Sequence, residues 1–478
     1  MRKSFSLFFP VVLVASILLT ADLANATRII FNYVDPPGVG FNDATAATPV
    51  GGNRGRTIGE QRKNVFQFAA RMWGRQIKSN VDITVTTGWP TLFCNAGSAV
   101  LGSSGAISIW WGFPNAARVD RNYNAALANA LARYDLSPGP PDTTYGVPGN
   151  DEYLVYLNPN IGQPTCLAGS GWYYGLDHNE PAGKIDLLAT CMHEFAHGLG
   201  WQAQFRTSLN DFYGAPPSIY SVYMWDNTLG MTFDNMTPAQ RGVSKVNTDK
   251  LVWIGSNVTS QVPANLGPRP MLTVNSPAGI AGAYDVQTAS FGPALTIAGL
   301  TGNVVLVNDG TGTPTYACSP LVNGPQVAGN IALIDRGTCT FTTKVKNAQN
   351  AGAIGAIVVN NVASGFPGMG GTDPTITIPS VGVTLATGNL IKANLATGVN
   401  ATMALNPAFL AGADNSGRVL LYAPNPYASG SSLSHYDTKC TPNLLMEPSI
   451  NADLHPRTTW DLTIVLMRDI GWKTRGTK

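Results

Sequence analysis

Apolar and polar residues alternate from Arg28 through Ile29, Phe31 and Tyr33 to Val34, with the two-residue period of a half-buried strand. A loop rich in Gly, Pro and Asn follows from Asp35 to about Arg56. Thr57 then stands where a helix cap belongs. Val65, Phe66, Phe68, Ala69, Met72 and Trp73 recur on one face of a helix predicted to run through Lys78. Residues 81–86 and 106–111 read as strands, 122–134 as a second helix and 153–157 as another strand. The apolar pattern over 184–190 leads into a buried helix. This order suits an α+β layer in which that last helix packs beneath a twisted sheet.

From Val262 to Pro270 the composition shifts to Pro, Asn and Gly, which predicts a linker. Residues 271–407 hold no His and no Glu and are rich in Val, Ile, Gly and Thr. Predicted strands at 304–307, 331–334 and 354–359, with a helix at 341–351, mark this segment as a small, separately folded α/β domain. The first domain therefore spans 27–262 and resumes over 410–478, where residues 459–472 form an amphipathic helix.

Composition adds a destination. Arg2 and Lys3, an apolar run from about Leu7 to Leu19, and Ala24-Asn25-Ala26 have the three parts of a secretory signal over 1–26. The run is short for a membrane span, so the expectation is an exported chain, extracellular or periplasmic, with no stable membrane association. Without the signal the chain is close to neutral, which gives no footing for nucleic acid. Six cysteines in an exported chain suggest up to three disulfides. Cys318 and Cys339 share one compact segment and form the best pair. Cys94 with Cys166, and Cys191 with Cys440, follow by elimination, with free buried thiols as the alternative.

The buried helix carries the candidate chemistry: Cys191-Met192-His193-Glu194-Phe195-Ala196-His197-Gly198-Leu199-Gly200. Two histidines four apart lie on one helix face, a turn from each other, so both imidazoles can reach one metal ion. Glu194 follows the first of them, where its carboxylate can reach a metal-bound water as a general base. A zinc site needs a third protein ligand and an open position. Position 203, a common place for it, is Ala203, and no Glu occurs between Glu194 and Glu447. Downstream only His435 and His455 remain, and His178 reads as a surface loop residue.

Two resemblances extend this reading. The run Val327–Phe341, continuing through Ala351-Gly352-Ala353 and Val358-Val359-Asn360-Asn361, resembles the protease-associated (PA) domain, an accessory module without catalytic residues. His193, Glu194, His197, Gly200, Ser434-His435-Tyr436-Asp437 and Leu444-Leu445-Met446-Glu447-Pro448 resemble the leishmanolysin family of metzincins. That resemblance implies a metzincin-like catalytic domain interrupted by the PA domain. It implies one catalytic zinc ion on His193, His197 and His435, a structural methionine turn at Met446, and Glu194 as the base. It also implies a secreted zinc endopeptidase acting on protein or peptide substrates. The alternative is a catalytically silent metzincin-like binding or adhesion protein. The strand expected near 106–111 could pair with extended substrate.

Overall fold

The computed structural model describes residues 26–137, 151–213, 216–451, 453–454 and 460–475. The expected signal, apart from Ala26, and His455 lie outside the described residues. The chain divides into two compact units, Met1–Leu266 with Gly412–Lys478, and Gly267–Ala411. The architecture is mixed α/β.

In the first unit, strand β1 (Ile29–Tyr33) leads to helix α1 (Ile58–Gln76). Thr57 Oγ1 accepts from the Glu60 amide while the Glu60 carboxylate accepts from the Thr57 amide, a reciprocal cap that fixes where α1 starts. Strands β2 (Ile83–Gly88) and β3 (Gly102–Ala106) follow, then helix α2 (Ala125–Ala132) and strand β4 (Tyr153–Leu157). They form one sheet in the order β1-β2-β4-β3, with β1, β2 and β4 parallel and β3 antiparallel at the edge. Helix α3 (Leu187–Gly198) carries the His-Glu-x-x-His residues, is buried along its whole length, and packs against β3, β4 and α1. Phe195 anchors it among Phe31, Phe66 and Tyr153, whose rings meet it 5.8–6.3 Å away between centroids.

Two expectations change here. The strand expected at 106–111 is instead β3, ending at Ala106, and a separate two-residue strand, Ile109–Trp110. Sequence propensity favoured the aromatic run, yet the pairing partner of β4 is Gly-Ser-Ser-Gly-Ala, because register decided what propensity could not. The expected linker at 262–270 contains no extended break: helix α4 (Ser256–Asn265) covers its start, with Pro263 inside, and strand β5 (Pro268–Ser276) begins within it.

The second unit is built on an eight-stranded sheet. Its centre is parallel: β6 (Leu300–Leu306), β7 (Ile331–Asp335), β8 (Gly355–Val359) and β9 (Ser380–Val383) pair in that order. Helix α5 (Phe341–Asn350) connects β7 to β8. Two apolar cores flank the sheet, one around Leu333, Ile357 and Val381, the other around Ile334, Val345 and Val358. Alternate residues of β7 and β8 thus enter opposite cores, as a parallel sheet covered on both faces requires. Strand β5 pairs antiparallel with β10 (Asn400–Leu410), from Pro268 opposite Leu410 to Ser276 opposite Asn400.

Cys94–Cys166 and Cys318–Cys339 are disulfides. Cys191 and Cys440 are free and buried, which corrects the third pairing. The alternative of free buried thiols holds for this pair, because an enclosed thiol packs as a small apolar group and needs no partner.

Candidate metal centre

Helix α3 starts on Asp186, whose carboxylate accepts from the Leu188 amide at 2.8 Å. The other oxygen of Asp186 is hydrogen-bonded to His178 Nδ1. His178 is therefore a buried support of the helix start, not a surface loop residue. At the far end, Asn124 Nδ2 donates to the carbonyls of His197 and Gly198, satisfying acceptors that the helix terminus leaves open. Gly200, at φ +128°, then turns the chain sharply. A side chain there would be strained, and the turn brings the Trp201 carbonyl back over the helix.

That carbonyl meets the second histidine: His197 Nδ1 donates to Trp201 O at 2.8 Å. His193 Nδ1 donates to Leu445 O at 2.7 Å, and His435 Nδ1 to Ser431 O at 2.6 Å. A backbone carbonyl can only accept, so each ring carries its proton on Nδ1 and turns an Nε2 lone pair inward. The three Nε2 atoms stand 3.1, 3.1 and 3.2 Å apart. With every Nδ1 protonated, none of those contacts has a proton to share. Three lone pairs at that spacing repel unless a cation lies among them. Three imidazole nitrogens about 2.0–2.1 Å from a tetrahedral zinc ion would stand about 3.3 Å apart, so the residues fit such an ion.

Electrostatics agree with the geometry. Burial lowers His193 to about 3, with neighbouring His197 adding to the effect, and burial lowers His197 to about 4. His435 is pushed well below its ordinary value by burial and by the other two rings. All three are neutral at pH 7, the form in which imidazole binds a metal. Burial raises Glu194 to about 8; a cation beside it would favour the carboxylate. Glu194 lies against strand β3, where a Cβ at Gly102 would fall 2.5 Å from its Oε1.

The turn at Leu444–Glu447 supplies the support for His193. The Glu447 amide donates to Leu444 O, and the Glu447 carboxylate accepts from the Leu444 amide at 2.8 Å. Asp461 accepts from the Leu445 amide at 2.6 Å, so the carbonyl that orients His193 is held from both sides. Met446 is fully buried, and its carbonyl accepts from the Tyr436 amide next to His435. Ala203 takes no part as a ligand; its amide faces Ser434 Oγ and its carbonyl accepts from Ser218. Sequence reasoning missed Asp461, Trp201, Ser431 and Gly102. Three of these act through backbone or absent atoms, which leave no residue-type signal, and Asp461 reads simply as a helix cap.

Comparison with known proteins places one part of the chain. Residues 300–391 match the PA domain family. Receptor homology region, transmembrane domain- and RING domain-containing protein 1 of Oryza sativa subsp. japonica is 41% identical over 114 residues, covering 23% of this chain and 20% of its own. Vacuolar-sorting receptor 1 of Pisum sativum is 32% identical over 113 residues, covering 23% and 18%. A probable leucine aminopeptidase 2 of Aspergillus fumigatus is 32% identical over 111 residues, covering 23% and 20%. The chain thus spans no more than about a quarter of these curated relatives. Among solved structures, a zinc aminopeptidase from Bacillus subtilis is similar at 21% identity and a TM-score of 0.22. It covers 42% of this chain and 44% of its own, a likeness too slight to carry an argument.

These findings overturn the leishmanolysin resemblance. The matching family is the PA domain, and these relatives carry receptor-homology, sorting-receptor and aminopeptidase names rather than metzincin ones. The metzincin endopeptidase function and its silent adhesion alternative go with it. His193 and His197 form a local ligand spacing, which unrelated folds can reach through the same helix geometry. What stands is a mixed α/β chain that carries a PA domain, with a three-histidine cluster in its other unit.

Proposed function

We propose that the first unit is a metal-dependent hydrolase of amide bonds. One observation carries the reading: three buried imidazoles converge by Nε2 while each Nδ1 is held by a carbonyl. Such cost in buried polar groups is typical of a site built for a ligand. His193, His197 and His435 would hold one zinc ion. Bound there, zinc would supply Lewis acidity toward a carbonyl and toward water.

The chain's own residues define the rest. The carbonyls of Leu445, Trp201 and Ser431 fix the three rings in one tautomer and orientation. Glu194 sits one residue after His193, in a buried position where a proton can be held or released near neutrality. It takes a proton from the attacking water and returns it to the leaving amine. We also propose an exported chain, since two disulfides suit an oxidising compartment.

A second reading concerns Gly267–Ala411. Its PA match and receptor-named relatives support a role in recognising a protein partner.

The test of the hydrolase is metal content and amide hydrolysis by the full chain, with and without chelator, for the wild type and Glu194→Gln. The substitution keeps size and removes the base, so zinc should remain near one per chain. Turnover should fall at least about a hundredfold. Zinc-loaded wild type that cleaves no amide, or undiminished cleavage by the variant, refutes the reading.

A further inference from the structure

Lys344, in helix α5, is 0% exposed, a costly place for an ammonium group. Its Nζ donates to the Tyr316 carbonyl at 2.7 Å and lies 5.0 Å from the Tyr316 ring centroid. The same atom is 3.7 Å from Cys318 Sγ. Two carboxylates face it at longer range. Asp335 is engaged by Lys392 and Thr315, and Asp309 by the amides of Cys318 and Ser319. These carboxylates raise the ammonium's pKa while burial lowers it to about 8, so it is charged at pH 7. The ammonium thus stands beside a sulfur that is neutral in the disulfide and becomes an anion when that bond opens.

We propose that Cys318–Cys339 is a thiol-exchange site, in which a small thiol of the glutathione class adds to Cys339 and Cys318 departs as a thiolate beside Lys344. The incoming thiolate attacks Cys339 Sγ and forms a new S–S bond. The Cys318–Cys339 bond breaks, and its electron pair goes to Cys318 Sγ. A second thiolate then attacks the mixed disulfide, releases the small disulfide and leaves Cys339 as a thiolate. Two thiols are oxidised and one protein disulfide is reduced. The lower the pKa of the leaving thiol, the faster this exchange runs, and a neighbouring ammonium lowers it. Both cysteines are partly accessible, as attack requires.

The experiment treats the full-length protein with reduced glutathione at pH 7, quenches with acid and locates the adduct by fragment mass spectrometry. The expected adduct is on Cys339 with Cys318 free. Lys344→Met should slow opening about five- to tenfold, while Cys94–Cys166 in the same chain reacts at an unchanged rate. An adduct on Cys318, or wild-type opening rates in the variant, overturns the proposal. Should the variant fail to fold, the adduct's position in the wild type decides alone.

Discussion

His193 donates its Nδ1 proton to the carbonyl of Leu445, 252 residues further along the chain, at 2.7 Å. The Leu445 amide in turn donates to Asp461, whose other oxygen caps the C-terminal helix Leu462–Asp469. One carboxylate therefore ties a helix start to the orientation of an imidazole. Asp461→Asn keeps one acceptor and gives up the other. Since such supports are typically worth 10–100-fold in metal affinity, zinc binding should weaken by about tenfold with every ligand intact. Competition against a chromogenic chelator measures this; unchanged affinity means that the turn is held in some other way.

Gly102→Ala tests the seat of Glu194. The new Cβ would fall 2.5 Å from Oε1, so the carboxylate must move. Cγ and Cδ would lie 2.8 Å from the same Cβ, so the whole buried side chain must shift, which should cost the fold about 1–3 kcal/mol. A misplacement of about 1 Å can cost 10²-fold in rate, so amide hydrolysis should fall at least about tenfold while zinc content holds. Calorimetry and turnover on the same sample separate the two effects, and full activity would remove Gly102 from the site.

Glu447 predicts a pH dependence. Burial, reinforced by Asp437, Asp453 and Asp461, raises its carboxyl from 4.5 to about 8, against the opposing hydrogen bond from the Leu444 amide. Between those values the unfolded chain has released this proton and the folded chain keeps it. The group's contribution is therefore complete below about pH 4.5 and is lost as pH rises toward 8. Glu447→Gln preserves an acceptor for the Leu444 amide and cannot ionise. Melting temperatures of chelator-treated protein at pH 5 and pH 8 should differ less in the variant than in the wild type. An equal difference would mean that Glu447 does not set the slope.

Cys191 and Cys440 should behave as enclosed thiols. Burial raises both well above the ordinary thiol range, with nearby carboxylates adding to it. The oxidised native protein should react negligibly with a thiol reagent at pH 8, and denatured protein should release two thiols per chain. No free thiol after denaturation would restore the third bridge.

The sequence carried these elements unevenly. Thr57 was visible as a helix cap because its own side chain makes the bond, whereas the return bond from Glu60 came only with the fold. Residues 153–157 read as a strand, and β4 is Tyr153–Leu157, because alternating large residues leave a period. Strand β3, made of Gly102-Ser103-Ser104-Gly105-Ala106, has no such pattern and exists through pairing with β4. The site divides in the same way. His193 and His197 stood out because helix geometry turns a spacing of four into adjacency. Trp201 and Ser431 contribute carbonyls, which every residue owns, so only the fold could point to them. His178 looked like a loop residue because nothing local announces its bond to Asp186.

The pairing of β5 with β10 sets a timetable for synthesis. Pro268 lies opposite Leu410, and the Ala411 amide donates to the Gly267 carbonyl at 2.9 Å. The second unit therefore returns the chain to the place where it left. A ribosome delivers His193 and His197 first and His435 only 238 residues after His197. Unfolded, that interval imposes a loop-closure penalty that grows with its length; folded, it acts as a short clasp. The nascent chain thus carries two of the three imidazoles and an incomplete cradle until the interposed unit has closed. Capture of the third imidazole is postponed until the interposed unit has been made.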